Sequence, residues 1–294
     1  VQKTSKAGPI ATRLVRAIQE VKSARVMDLR AFRDGMARAT DLQKTVATRE
    51  DLADFHPAHA VYVVVQNQVS VLVEQLTALP DTAELADRIE AAENEYMPSG
   101  PPMSPLTVSY FTSWAFFDCA VGARRETLGT CVLAVGKSLG MAPDFLALVE
   151  SMQESCMRIY THEGLNADGT TTLRDLVTGI RSTCLVPSGW RGGVGELWLA
   201  RVLPPPASHL TASVVFTTPY ILRGSKERDW LACLERTLGA ARRDARRSTA
   251  MLKYEGDWSE YIFAGYVGHV AEAIFLTGLP DIPASLPHSS PRAR

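Results

Sequence analysis

The chain has 294 residues, 46% of them hydrophobic and 21% charged, with a formal net charge of −1. That length can bury one large core or two modest ones, and the composition excludes the disordered, collagen-like and disulfide-dense classes. The near-zero balance excludes a global electrostatic pull toward nucleic acid or anionic membrane, so only local patches of charge remain to be considered.

From about Pro9 to His162 the periodicity is helical. An N-terminal helical region over 1–97 contains Val61, Val64, Val65, Leu72, Leu76 and Leu79 at helix-like spacing, although their β-branching keeps a strand as the alternative. After Pro80, Asp81 and Glu84 form an Asp-x-x-Glu start signal, and Leu85, Ile89, Ala92 and Tyr96 follow as a single apolar stripe. Residues 98–108 form a Pro-rich strap or hinge, because each proline removes a backbone donor and drives its predecessor out of the helical region. In the helical region 109–165, Leu128 to Leu139 stops at the natural C-cap Gly140. Phe145, Leu148, Val149, Met152, Cys156, Ile159 and Tyr160 read as one further helix.

Beyond that point the periodicity becomes strand-like. "TTLRDLV", "IRSTCLV", "GELWLARVL" and "ASVVFTTPYIL" are short Val-, Thr- and aromatic-rich runs separated by Gly, Pro and Ser. They predict an antiparallel β module over 166–222, followed by C-terminal helices over 223–279 that pack on it and a mobile tail over 280–294. The expected fold class is therefore α+β, mainly a helical bundle carrying a small antiparallel sheet of about four strands near 170–222.

Residues 173–222, "LRDLVTG…CLVPSGWRGGVGELWLARVLPPP…VVFTTPYIL", resemble a small β module of uncharacterised bacterial proteins, in which a D-L-x-T-G turn precedes a G-E/D-L-W/L-x-A-R-x-L-P strand. "SPLTVSYFTSW" and "ETLGT" are similar to parts of the same proteins. The resemblance implies a small β fold and carries over no activity and no site residue.

Cys119, Cys131, Cys156, Cys184 and Cys233 are odd in number and contain no CxxC pair, which points to reduced, buried thiols in a cytoplasmic protein. No apolar run is long enough to span a bilayer, and the first twenty residues lack the apolar core of a secretion signal. Val1 in place of Met leaves open a leader removed before it.

Chemistry-bearing motifs are sparse. The loop Gly189 to Gly195 contains GxxG spacings, but strands flank it, no Gly-Lys-Ser/Thr follows and no helix opens after it, so an inter-strand turn is favoured over a phosphate cradle. Trp190 and Arg191 within it are candidate stacking or anion contacts. His56 and His59 have His-x-x-His spacing interrupted by Pro57 and read as helix-start punctuation rather than metal ligands. Asn166, Asp168 and Thr170 mimic a calcium loop but lack its bidentate Glu, so a turn is expected. His162 and Glu163 read as a helix terminus, with a catalytic pair as the alternative. No nucleophile elbow, S-x-x-K or H-E-x-x-H is present.

Charge is segregated along the chain. Lys3, Lys6, Arg13, Arg16, Lys22, Arg25, Arg30 and Arg33 make the N-terminus basic, while Asp51 to Pro98 is acidic with Arg88 its lone basic residue. A second basic cluster, Arg242, Arg243, Arg246 and Arg247, lies late in an expected helix. Opposed faces that pack or self-associate are favoured over convergence on a phosphate backbone. The overall expectation is a non-enzymatic cytoplasmic interaction or regulatory protein with a protein partner or self-association, no cofactor, no metal and no membrane. A nucleic-acid-associated protein using the Arg-rich helices is the alternative, and an enzyme with a site near His162, Glu163 and the 187–195 loop is a second.

Overall fold

The structure, a computed structural model, describes residues 7–23, 47–48, 50–77, 79–96, 112–216, 219–222 and 226–232. The expected strap 98–108, the second C-terminal helix and the cluster Arg242, Arg243, Arg246 and Arg247 lie outside the described residues. The helices that frame the fold include α1 (Pro9–Ser23), α2 (Pro57–Thr77), α3 (Ala83–Tyr96), α4 (Leu128–Leu139) and α5 (Pro143–Glu154). The strands are β1 (Met157–Leu165), β2 (Thr171–Asp175), β3 (Arg181–Leu185), β4 (Leu197–Leu203), β5 (Ser213–Val215) and β6 (Tyr220–Leu222).

The expectation of a mainly helical bundle with a small antiparallel four-stranded sheet is overturned. The strands follow the order β1-β2-β3-β5-β4-β6, and β1 also pairs with β4, so five strands close into a barrel and β6 is appended to β4. The barrel is mixed, because β3 and β5 run parallel at Cys184↔Ser213 and Leu185↔Val214. Two sequence features concealed this. The apolar spacing of Cys156, Ile159 and Tyr160 continues the stripe of α5, yet α5 ends at Glu154 and β1 begins at Met157. "ASVVFTTPYIL" reads as one strand but forms β5 and β6, which pair with different stretches of β4.

Alternation along the strands gives the barrel two faces. Tyr160, Leu173, Cys184, Trp198, Ala200 and Val215 meet as one buried cluster, which is the barrel interior. The outward residues Met157, Ile159, Leu197, Leu199, Arg201 and Leu203 are also buried, so β1 and β4 are covered on both sides. Leu203 and Val214 belong to the larger core formed with α1, α2, α4 and α5.

Local chemistry fixes the helices. The buried stripe of α2 is Ala58, Tyr62, Val65, Val69, Val73 and Leu76, whereas Val61 and Val64 are exposed, so the stripe is rotated from the sequence expectation by about one residue. Glu126, itself buried, accepts the backbone N–H groups of Ile10 (2.9 Å) and Ala11 (2.7 Å) and so caps the first turn of α1 from a distant part of the chain. A Cβ on Gly8 would stand 2.2 Å from the Glu126 carboxyl carbon, so the approach requires glycine. Thr127 and Thr130 form a reciprocal capping box at the start of α4, and Gly140 ends it in the left-handed conformation (φ 72°).

One side chain ties the barrel to the helices. Arg201 of β4 is fully buried and pairs with the Asp118 carboxylate. It also donates to the Ser155 carbonyl (2.9 Å) and hydroxyl (2.8 Å), and it stands over the Phe117 ring at 5.8 Å. Removing Asp118 leaves a guanidinium buried without its counter-charge. Asp118→Ala is therefore expected to cost about 3–5 kcal/mol, read as a lowered urea midpoint, while Arg13→Ala, at the exposed Asp81 pair, costs less than about 1 kcal/mol.

Candidate functional site

The barrel interior is closed differently at its two ends. At one, Arg158 of β1 meets Asp175 of β2 at 2.8 Å. The other oxygen of Asp175 accepts the N–H groups of Val177 (2.9 Å) and Thr178 (2.8 Å). One carboxylate thus plugs the barrel and builds the turn "DLVTG", whose Gly179 supplies the required φ of 72°.

The other end is closed by the glycine-rich loop joining β3 to β4. His162 and Trp198 lie there with ring centroids 5.0 Å apart, and both are buried. The loop folds over them: His162 Nε2 donates to the Arg191 carbonyl at 2.9 Å, since a carbonyl can only accept. Gly192 packs so closely that a Cβ would fall 2.5 Å from Trp198 Cζ2, 2.9 Å from Glu196 Oε2 and 3.1 Å from His162 Cδ2, and its φ is +62°. Glu196 completes the fastening by accepting from the indole N–H of Trp198 (3.0 Å) and, at 3.4 Å, from that of Trp190. Gly195 and Glu196 also exchange backbone hydrogen bonds with His162, prolonging the β1–β4 ladder.

This geometry answers what the glycines do. They let backbone lie directly on an indole, and the loop runs from β3 into β4 rather than into the helix N-terminus that a phosphate cradle uses. The loop is a lid over the barrel. Trp190 (42% exposed), Arg191 and Val194 (77% exposed) face outward from it, while Leu165 at the end of β1 is 48% exposed.

His162 and Glu163 do not meet. They are consecutive residues of β1 rather than a helix terminus, so His162 faces the interior and Glu163 the outer surface. Glu163 binds Arg181 (2.6 Å) and Arg174 (2.8 Å), and Arg174 also binds Glu227 at 2.6 Å. Thr161 donates to the same Glu227 oxygen at 2.7 Å. Thr161↔Arg174 and Arg174↔Arg181 are in register, so this ladder spans three strands. The Arg181 hydrogen bond above all holds the Glu163 carboxyl below the usual range, with Arg174 assisting against the opposing effect of desolvation. Sequence reasoning missed these arginines, and only the period-2 spacing of β2 and β3 could have aligned them.

The remaining motifs resolve into structure. His56 caps α2 by accepting from the Ala58 N–H (3.2 Å), and His59 stacks on Phe55 at 5.0 Å, where burial lowers its pKa. Asp168 accepts the N–H (3.0 Å) and hydroxyl (2.6 Å) of Thr170 in the β1–β2 turn. Burial pushes the thiols of Cys119, Cys131 and Cys184 up to about 12, well away from nucleophilic use. Among the described residues no three His, Cys, Asp or Glu side chains converge as a metal site, and no helix is long and apolar enough to cross a membrane. No protein-family model, curated protein or solved structure matches the chain.

Gly192→Ala forces a Cβ against Trp198 at a left-handed φ and is expected to cost about 1–3 kcal/mol and to alter tryptophan emission. Gly193→Ala, whose Cβ would meet only Glu196 Oε1 at 3.7 Å, is expected to change neither. In an NMR titration Glu163 titrates below an ordinary glutamate, so its pairing persists at neutral pH and is lost as pH falls through that depressed midpoint. Arg181→Ala moves the midpoint upward.

Proposed function

We propose that the chain is a non-enzymatic interaction or regulatory protein of the cytoplasm, and that it meets a protein partner through the lid of its barrel. The observation that carries this reading is Trp190. A large aromatic ring stays 42% exposed although its indole N–H is held by Glu196, on a loop whose backbone is fixed by His162 and Gly192. Trp and Arg are the residues most enriched at energetic centres of protein interfaces, and a pre-ordered loop loses little entropy on binding. The buried thiols of Cys119, Cys131, Cys156 and Cys184, none of them joined in a disulfide, support a reducing compartment.

A protein partner is favoured over nucleic acid by the state of the arginines on the barrel's outer face. Arg174 and Arg181 already face Glu163 and Glu227, which cancels the local charge that phosphate binding draws on. The enzymatic alternative is disfavoured because His162 and Glu163 project to opposite faces of β1.

Replacing Trp190 with photoreactive benzoylphenylalanine in cells tests the reading. Irradiation is expected to give discrete protein adducts from position 190 and none from the same residue placed at the exposed Glu84 of α3. Identical patterns from the two positions, or no adduct from position 190, would overturn it.

A further inference from the structure

We infer that the surface around Trp190 accepts an acidic peptide segment with an apolar anchor, its carboxylate on Arg191 and the anchor against the exposed Trp190 ring. This deepens the function proposed above and rests on it.

The charge argument begins with the barrel's arginines. Arg158, Arg174 and Arg181 each hold a carboxylate within 3.0 Å, and Arg201 is buried against Asp118. Among the described residues Arg191 has no such partner, and its side chain is exposed. The neighbouring carboxylate, Glu196, is committed to the indole N–H groups of Trp190 and Trp198, so it leaves the Arg191 guanidinium free for an external anion. A planar guanidinium binds a carboxylate through two parallel hydrogen bonds.

The apolar part lies beside it. The backbone bonds from Gly195 N to His162 O (2.8 Å), from His162 N to Glu196 O (2.9 Å) and from Glu196 N to Gly193 O (3.0 Å) fix a turn that presents Val194, 77% exposed, at its apex. Trp190 and Val194 thus expose apolar area on the same loop as one unpaired cation. A single guanidinium suits one carboxylate beside an apolar side chain, whereas a nucleic-acid backbone is held by several cations at once.

The test is a displayed random peptide library selected on the whole protein, with Trp190→Ala, Arg191→Ala and Arg191→Glu in parallel. Thermal melting checks that each variant keeps its fold, as expected for exposed side chains. Selected peptides are expected to place Asp or Glu close to an aromatic or aliphatic residue. Their affinity falls about tenfold or more with Arg191→Ala and is lost with Trp190→Ala, and Arg191→Glu shifts selection toward Lys and Arg. Trp190-dependent peptides with no acidic preference would overturn the inference while leaving the lid as a protein-binding surface. Selection of no Trp190-dependent peptide would also overturn it, with crosslinking from position 190 deciding the broader reading separately. An oligothymidylate that binds more tightly than any selected peptide, and is released by Arg191→Glu, would reassign the surface to nucleic acid.

Discussion

The Arg201 guanidinium decides how the two parts of this fold are joined. It leaves the outer face of β4, where aliphatic neighbours would be expected, and reaches Asp118, Ser155 and the Met152 carbonyl in the helical layer. A buried ion pair adds little net stability over an apolar contact, because desolvation offsets most of the attraction. Its effect is directional. Only one placement of the barrel on the helices brings the carboxylate, the hydroxyl and the Phe117 ring onto one guanidinium, so the pair specifies an orientation that a purely apolar interface would leave loose.

Glu126 applies the same principle within the helical layer. Its carboxylate meets two orphan N–H groups of α1 more than a hundred residues away in sequence, with Gly8 shaped to admit it. Asp175 does likewise inside the barrel, and Glu196 does so at the lid. In each case a buried or half-buried carboxylate accepts from two donors at once. These residues set the register of strands and loops, while Trp198, Tyr62, Leu14 and Phe117 supply the bulk of the burial.

The sequence discloses the helices far better than the closure of the sheet. The α4 stripe, its Gly140 stop and the strands β2, β3 and β4 are legible because each is a local pattern of apolar spacing bounded by turn residues. The barrel is not legible, because closure depends on β1 pairing with both β2 and β4, and "MRIYTHEGL" carries an apolar spacing that continues the preceding helix. The loop was recognisable as a turn from its glycines. That Gly192 lies on an indole was not, since nothing in the sequence relates His162 to a carbonyl 29 positions later. The division of labour between His162 and Glu163 does not follow from alternation alone, because the β1–β2 register shifts between His162 and Gly164; Trp198 beside the one and Arg174 and Arg181 beside the other assign the faces.

The lid loop separates its duties residue by residue. Gly192, Gly195 and Glu196 are bound by φ, by contact with Trp198 or by paired indoles, and a change at any of them disturbs the barrel beneath. Ser188, Arg191 and Val194 contribute side chains to none of those fastenings except for the weak Ser188 contact with the Trp190 N–H. A loop divided in this way can exchange its outward side chains over evolutionary time at almost no expense to folding. Related chains could therefore keep one frame and differ in what they recognise, with the variation confined to a few positions between fixed glycines.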